Sequence, residues 1–248
     1  MCYPGFVSPM AGVWHARQQI ERWVVLIATD AWRKAFPGAS IGVLAMRGVS
    51  NPRSHPDLDA RMTDVEADLR RRFSDGGRPA IRALETVQAY TAYYRKFKKT
   101  YHVQLQLESV AVKGRSVPRP SALVSAMFAA ELQNQILTAG HDLASVRDPV
   151  VVDVATGEET YTMLNGKAQT LTAGDMFIAD AAGGMSSIIY GPDDRTPISR
   201  DTRDVLFTIY GPNGISADQI SGHLDQIREY VTLASPEAEV EIMDILVN

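Results

Sequence analysis

The sequence of 248 residues contains a single cysteine, Cys2, and this excludes an intramolecular disulfide. A lone cysteine is more typical of an incidental thiol in a reducing compartment than of a reactive one. The apolar run at residues 23–28 is too short to cross a bilayer. The N-terminus also lacks the charged and apolar regions of a signal peptide. We therefore expect a cytoplasmic protein that has no membrane partner.

Several signatures of cofactor chemistry are missing as well. The Gly183-Gly184 pair lacks the lysine and the following helix of a phosphate-binding loop, so it is interpreted as a turn. No serine occupies a nucleophile elbow. The histidines are scattered, without the spacing of metal ligands: His15, His55, His102, His141 and His223. The sequence therefore predicts neither a metal nor a cofactor.

Charge is present but unevenly distributed. The formal net charge is −4, which argues against nonspecific coating of nucleic acid and against DNA as a partner. Residues 93–119 nevertheless carry seven cations against the single acid Glu108. These cations form what we call the basic stripe: Arg95, Lys96, Lys98, Lys99, Lys113, Arg115 and Arg119. Such a stripe on an acidic body suits docking of a defined RNA at one face. The alternative is a solvated helix end, where cations offset the helix dipole, followed by a charged loop.

The first fifty residues predict an appendage to a larger domain. Residues 1–20 contain proline and glycine without periodicity and suggest an irregular arm. A helix is predicted for residues 18–36 and a strand for residues 41–49. We therefore expect residues 1–50 to form an arm, a helix and a strand that pack on a main domain of residues 51–248.

Three further helices are predicted before the chain turns to strands. Apolar residues recur at spacings of three and four over residues 58–73, with Asp57 as a candidate N-cap. A second helix is predicted for residues 79–97, because Pro79 suits a first turn. A third is predicted to begin at Ser121 and to end at Gly140.

The remainder is rich in short strands. Asn165-Gly166 is a strong hairpin signal, and Thr156-Gly157 is a second turn that suggests a meander. A helix is predicted for residues 217–233. Strands are predicted for residues 150–155, 159–164, 167–171, 176–179, 186–190, 205–210 and 240–247. This order predicts the α+β class, with helices packed on a mixed, largely antiparallel sheet.

A series of segments resembles a known family in its order and spacing. The segments cover residues 111–124, 138–146, 163–171, 175–180, 186–199 and 201–207. Together they resemble the B3/B4 domain, the tRNA-editing module of the bacterial phenylalanyl-tRNA synthetase β subunit, over roughly residues 90–215. The loop GPDDRT at residues 191–196 is similar to that of free-standing members of the family.

The resemblance implies a partner and an activity. In the synthetase, the module binds the 3′ end of tRNA and hydrolyses tyrosine that is wrongly attached to phenylalanine's tRNA. For this chain it implies binding of an aminoacylated tRNA 3′ end and hydrolysis of the ester in trans. Two alternatives stay open, because a fold does not determine a function. One is a non-catalytic binder of tRNA or of an amino acid, and the other is a small-molecule enzyme on the same scaffold.

The resemblance also implies site residues. The family's histidine falls on His141, as a catalytic group that positions the ester or a water. The alternative for His141 is a helix C-cap. The family's glycine pair aligns on Gly191 and Pro192, and Pro192 removes one backbone donor. The glutamate that reads the tyrosine hydroxyl aligns near Thr208, so a preference for tyrosine is not expected here.

A polar loop completes the expected site. Arg195 is suited to a carboxylate or a phosphate and Asp193 to an α-amino group. The alternative is a surface ion pair of Arg195 with Asp194 or with Asp201 beside a type I turn. The substrate-binding residues expected on these grounds are Ser187, Tyr190, Gly191, Asp193, Arg195, Thr196 and Thr208. They are expected to line one cleft with His141, between the third helix and the sheet.

Overall fold

The computed structural model describes residues 25–248, so Cys2 and the predicted arm of residues 1–20 lie outside it. The helices within the described residues are α1 (Asp30–Ala35), α2 (Pro56–Arg72), α3 (Gly77–Arg82), α4 (Glu85–Lys96), α5 (His102–Ala111), α6 (Ala122–Asn134) and α7 (Ala217–Ala234). The strands are β1 (Leu26–Ala28), β2 (Ser40–Arg47), β3 (Thr138–Asp142), β4 (Val150–Val154), β5 (Thr160–Thr162), β6 (Ala168–Thr170), β7 (Met176–Asp180), β8 (Gly183–Ser187), β9 (Gly191–Pro192), β10 (Asp204–Gly211) and β11 (Glu239–Val247).

One sheet has the order β11-β2-β10-β3 and is antiparallel throughout. Helix α7 packs on β2 and β11, and α6 packs on α7 and β3. Strands β2 and β10 are almost wholly buried, because helices or strands cover both of their faces. This sheet and its helices form the larger part of the apolar core.

A second sheet has the order β1-β4-β7-β8-β9, and a separate hairpin joins β5 to β6. Strands β1 and β4 run parallel, whereas the other pairs in this sheet are antiparallel. The α+β class is therefore confirmed, with mixed and largely antiparallel sheets. Strand β1 pairs with β4 in the second sheet, and β2 pairs with β10 and β11 in the first sheet. The predicted domain boundary at residues 50/51 stays a prediction.

The prediction of one helix over residues 18–36 is wrong for the part that is described. Residues 26–28 form β1, which pairs with β4, and α1 begins only after Thr29. Thr29 accepts a hydrogen bond from the Trp32 backbone N–H and so acts as the N-cap. The run of β-branched residues that precedes Thr29 suits a strand, and its partner β4 is more than 120 residues away in sequence.

The basic stripe lies on more secondary structure than the sequence predicted. The helix expected at residues 79–97 is divided at Leu84, whose backbone is extended (φ −63°, ψ 130°). Residues 102–111 form α5, where no helix was predicted. The cap of α2 is also corrected: the N-cap is His55, without a side-chain hydrogen bond, and Asp57 lies in the first turn.

The third predicted helix ends six residues early, and this changes the setting of His141. Helix α6 ends at Asn134, because Gln135 adopts a left-handed conformation (φ 55°). The chain then enters β3, so His141 is a strand residue and not a helix C-cap. The meander is corrected as well: β4 pairs with β1 and β7, whereas the hairpin at Asn165-Gly166 forms between β5 and β6.

Candidate functional site

A cleft of about 270 Å³ opens between α6 and the strands β3, β8 and β9. Helix α5 contributes one wall, and the turn of the β5–β6 hairpin contributes Leu164 at the rim. The lining residues are His102, Gln106, Val124, Met127, Phe128, Glu131, Leu137, Thr138, Ala139, Gly140, Leu164, Ser187, Ile188, Gly191, Pro192, Pro197, Ile198 and Tyr210. Most of these side chains are apolar. The few polar groups therefore determine what the cleft can bind.

Two glycines shape the cleft. A Cβ added at Gly140 would lie 2.6 Å from Ile198 Cδ1 and 3.3 Å from Met127 Sδ, so β3 approaches α6 closely only because this side chain is absent. Gly191 has a φ of 78°, which favours glycine, and no atom of residues 25–248 other than its chain neighbours lies within 4 Å of a Cβ added there. The backbone at Gly191 is consequently open to a ligand.

The structure places His141 behind the cleft and not on its wall. Its side chain is fully buried in β3. Nδ1 lies 2.7 Å from Thr196 Oγ1, and Nε2 lies 3.3 Å from Ser186 Oγ. Because Thr196 Oγ1 donates its proton to Asp193, it accepts from His141 Nδ1, and Nε2 is left as the acceptor for Ser186. Burial, with the nearby Arg195 guanidinium, lowers the pKa of His141 to about 3, so the ring is neutral at physiological pH.

The hydrogen-bond chain from His141 reaches the cleft through one further residue. Because Ser186 Oγ donates to His141, it accepts from the hydroxyl of Tyr210, which lines the cleft, at 2.6 Å; the same hydroxyl oxygen lies 2.9 Å from the Ser186 carbonyl oxygen. Asp193, Thr196, His141, Ser186 and Tyr210 thus form one buried network. His141 is suited to orienting Tyr210 and does not itself touch a ligand in the cleft.

Arg195 and Asp193 are engaged with the protein itself. Arg195 Nη1 and Nη2 bind the buried Asp180 carboxylate at 2.9 and 2.8 Å, and Arg195 Nε lies 3.5 Å from Asp193 Oδ2. The partner of Arg195 is therefore neither of the two surface acids that the sequence suggested. No type I turn forms at Pro192-Asp193, because Pro192 belongs to β9.

The other expected substrate-binding residues are distributed around the cleft. Ser187 and Gly191 line it. Thr208 is buried in β10 and its Oγ1 lies 3.5 Å from the Ala139 carbonyl oxygen. The Tyr190 hydroxyl lies 2.6 Å from Thr172 Oγ1. The structure thus brings two of the expected residues to the cleft surface and places the others beside or behind it.

Ser187 lies near a buried carboxylate. The Asp175 side chain is fully buried and accepts a hydrogen bond from the Tyr93 hydroxyl at 2.7 Å, and the nearby Ser187 side chain favours its ionised form. Burial raises the pKa of Asp175 to about 6. Ser187 Oγ also accepts from the Tyr190 backbone N–H at 3.1 Å. The cleft therefore contains a hydroxyl close to a buried carboxylate that is ionised at neutral pH.

Sequence reasoning did not identify Asp175, Tyr210 or Glu131. Glu131 lies on α6, is 3% exposed and lines the cleft. Its signal in the sequence is a single acid within the apolar segment of residues 126–132. A carboxyl group in such a segment is rarely buried without a partner, because ionisation in an apolar environment is costly.

The cations of the basic stripe lie in two different settings: most are exposed to solvent, and one packs against α2. The C-terminal end of α4 carries Arg95 and Lys96 on the surface, followed by the exposed Lys98 and Lys99. Lys113 and Arg115 are also exposed, beyond the end of α5. Arg119 instead packs on α2, where its guanidinium binds the buried Glu66 at 3.3 Å.

The end of α4 leads directly to the cleft. Lys98 has a φ of 56° and Lys99 N–H donates to the Tyr94 carbonyl at 3.1 Å, which ends the helix and turns the chain toward α5. Lys99 Nζ lies 5.9 Å from the ring centroid of Tyr190, next to Gly191. Three residues later, His102 lines the cleft.

Within residues 25–248, no group of three or more His, Cys, Asp and Glu side chains is placed to hold a metal ion. Among the helices that the structure describes, none has the length and apolar character needed to span a bilayer.

The fold and the cleft define an α+β protein of a known domain family. Residues 86–230 match the B3/4 domain, and the chain belongs to this family. The structure is similar to the crystal structure of an N-terminal fragment of the phenylalanyl-tRNA synthetase β subunit from Pyrococcus horikoshii, with a TM-score of 0.48 and 9% sequence identity. That match covers 91% of this chain and 55% of the solved chain, so this chain spans about half the length of its structural relative. No curated protein matches the sequence significantly.

Proposed function

We propose that the protein binds the aminoacylated 3′ end of a tRNA and hydrolyses the aminoacyl ester in the cleft. Membership of the B3/4 family supports RNA as the partner. The observation that carries the proposal is the continuity between the cations that follow α4 and the cleft. Lys99 lies over Tyr190 beside Gly191, and the same segment continues to His102 on the cleft wall.

The polar groups of the cleft suit the hydrolysis of an activated ester. Aminoacyl esters need a positioned water and stabilisation of the developing oxyanion, and no covalent nucleophile. Ser187 positions the water. As the water attacks the ester, it passes a proton to Ser187 Oγ, and the Ser187 hydroxyl passes its own proton to the Asp175 carboxylate. Tyr210, oriented by Ser186 and His141, lies on the same wall. His141 is a positioning residue in this scheme, because its ring has no exposed atom.

The activity is tested by incubating the purified protein with a panel of aminoacyl-tRNAs and measuring release of the amino acid. We expect release from at least one ester, without a preference for tyrosine. Ser187→Ala is expected to lower the rate about 10²-fold, as for loss of a general acid–base group. Ser221→Ala, an exposed serine on α7, is the matched control and is expected to retain the full rate.

The pH dependence provides a second measurement on the same assay. Because Asp175 must be ionised to accept a proton, the rate is expected to rise with pH through about 6. Asp175→Asn is expected to be slow across the whole range and to lack this rise. An unchanged pH profile in Asp175→Asn would remove the assigned role of Asp175.

Docking of tRNA is tested separately from chemistry. The double variant Lys98→Glu/Lys99→Glu is expected to weaken tRNA binding strongly and to reduce the salt dependence of the affinity. Arg53→Glu/Arg71→Glu reverses two exposed cations elsewhere and serves as the charge-matched control. Equal weakening by both double variants would contradict docking at the end of α4.

The burial of His141 specifically favours a second candidate, a non-catalytic binder of aminoacylated tRNA. In that case the wild-type protein binds the charged tRNA with the same sensitivity to salt and leaves every ester of the panel intact.

A further inference from the structure

The carboxyl group of Glu131 occupies an unusual position in the cleft. Its Oε1 accepts one hydrogen bond, from the Thr138 backbone N–H at 2.8 Å. Within the described residues, no hydrogen-bond donor contacts its second oxygen, Oε2. The side chain is nonetheless 3% exposed and belongs to the cleft lining. An oxygen acceptor therefore lies at the cleft surface without a partner in the part of the chain that the structure describes.

No cation of the described chain compensates this carboxyl group. Among the described residues that line the cleft, none is a lysine or an arginine. The titratable groups that face Glu131 from neighbouring elements are the phenols of Tyr90, Tyr94 and Tyr101, together with the cleft residues His102 and Tyr210. Burial lowers the pKa of His102 and raises the pKa of each of these phenols, so all of them are neutral at pH 7. Desolvation likewise raises the pKa of Glu131 to about 8.

We infer that the cleft recognises a primary ammonium group through Glu131, with a compact apolar side chain held against the α6 wall. An ammonium supplies both the donor that Oε2 lacks and the positive charge that an ionised buried carboxylate requires. The volume of about 270 Å³ is below the range of roughly 300–1,000 Å³ typical of drug-sized ligands. The ligand class is thus an amine the size of an amino acid.

The identity of the ammonium group depends on the proposed function. If the cleft holds the aminoacyl end of a tRNA, the group at Glu131 is the α-ammonium of the attached amino acid. Met127, Phe128 and Ile198 then contact its side chain, and amino acids with apolar side chains are preferred. Aspartate and glutamate are excluded, because a second carboxylate beside Glu131 would have no counter-charge.

Binding of an ammonium has a consequence that binding of a neutral ligand lacks. The Glu131 carboxyl group must lose its proton to form the ion pair, and that proton passes to the buffer. A neutral alcohol of the same shape binds the protonated carboxyl group and releases no proton. Proton release therefore distinguishes the two modes of recognition in the wild-type protein alone.

The test is calorimetric titration at pH 7 with 2-phenylethylamine and isopentylamine, in buffers that differ in ionisation enthalpy. The matched neutral ligands are 2-phenylethanol and 3-methylbutanol. We expect each amine to bind about 10- to 100-fold more tightly than its alcohol, as for a charge-assisted hydrogen bond, with release of up to one proton. Glu131→Gln is expected to abolish both the preference and the proton release, whereas the exposed Glu229→Gln is expected to retain both.

Three results would overturn the inference: equal affinity for amine and alcohol, proton release that persists in Glu131→Gln, or no binding of either amine. These outcomes are independent of the ester assay. Amine binding without hydrolysis supports the inference and contradicts the proposed chemistry. Hydrolysis of aminoacyl-tRNA by a protein that shows no preference for amines supports the proposed chemistry and contradicts the inference about Glu131.

Discussion

At the scale of single residues, the polar side chains that stand out in the sequence are mostly bound to one another. Arg195 is the clearest case, because its guanidinium spans both oxygens of Asp180. Asp180 is buried and also accepts from the backbone N–H groups of Arg147 and Ala182, each at 2.8 Å. Arg195 thus closes the loop onto β7 and is not available as a free anion-binding group.

Replacement of Arg195 therefore affects stability first. Arg195→Met leaves the buried Asp180 carboxylate without its cation, and we expect the free energy of unfolding to fall by about 2 kcal/mol. The stability of Arg195→Lys is expected to lie between those of the wild-type protein and Arg195→Met, because lysine cannot span both oxygens. Urea unfolding followed by circular dichroism measures the loss, with the exposed Arg200→Met as the control. A loss no larger than that of Arg200→Met would show that the pair contributes nothing.

At the scale of elements, the contact of α7 with β2 depends on a missing side chain. A Cβ at Gly42 would lie 2.5 Å from Ile220 Cγ2. Gly42 is in the interior of β2, between β10 and β11, so the backbone has little freedom to retreat. The close approach of helix and sheet is consequently set at this position.

Two glycine substitutions, one in β2 and one in α7, are expected to change the free energy of unfolding in opposite directions. Gly42→Ala overpacks the contact with Ile220 and should lower the free energy of unfolding by about 1–3 kcal/mol. Gly222→Ala, on the exposed side of α7, meets no atom of another described element within 4 Å and should raise stability by up to about 1 kcal/mol through helix propensity. Thermal and urea unfolding of both variants checks the pair. The same sign for both would contradict this account of how α7 packs.

At the scale of the whole molecule, buried titratable groups determine how stability depends on pH. His141 and His223 have pKa values lowered by burial from 6.5 to about 3, so the unfolded chain binds more protons and stability is lost as the pH falls below 6.5. Glu131 has a pKa raised from 4.5 to about 8, so its contribution is complete below 4.5 and is lost as the pH rises to about 8. Between pH 6.5 and 8 the Glu131 contribution is the one that changes most.

We therefore expect the free energy of unfolding to decrease between pH 6.5 and 8 by somewhat less than about 1 kcal/mol, because the loss at Glu131 of about 1.7 kcal/mol is partly offset by the two histidines. In Glu131→Gln the decrease should be replaced by a small increase, because the amide has no proton to lose and only the two histidines still contribute. Urea unfolding at pH 6.5, 7.25 and 8 measures the slope, and the exposed Glu229→Gln serves as the control. A slope in Glu131→Gln equal to that of the wild-type protein would contradict the buried state of this carboxyl group.

The sequence by itself determined the features that depend on local pattern. The apolar spacing of residues 58–73 predicted α2, the helix at residues 217–233 corresponds to α7, and the alternation at residues 240–247 corresponds to β11. The order of motifs predicted the α+β class and the B3/4 family. These features follow from neighbours in the chain, whose side chains repeat with the period of the element that they form.

Only the tertiary structure decided which polar residues are accessible and which are buried. The sequence pointed to His141, whereas the fold placed it behind the wall, brought Tyr210 of β10 and Glu131 of α6 to the cleft, and buried Asp175 behind it. Each of these positions depends on strands and helices that are far apart in the chain. Burial, hydrogen-bond partners and the resulting pKa shifts are set by that packing, because desolvation is a property of the assembled surroundings and not of the residue type.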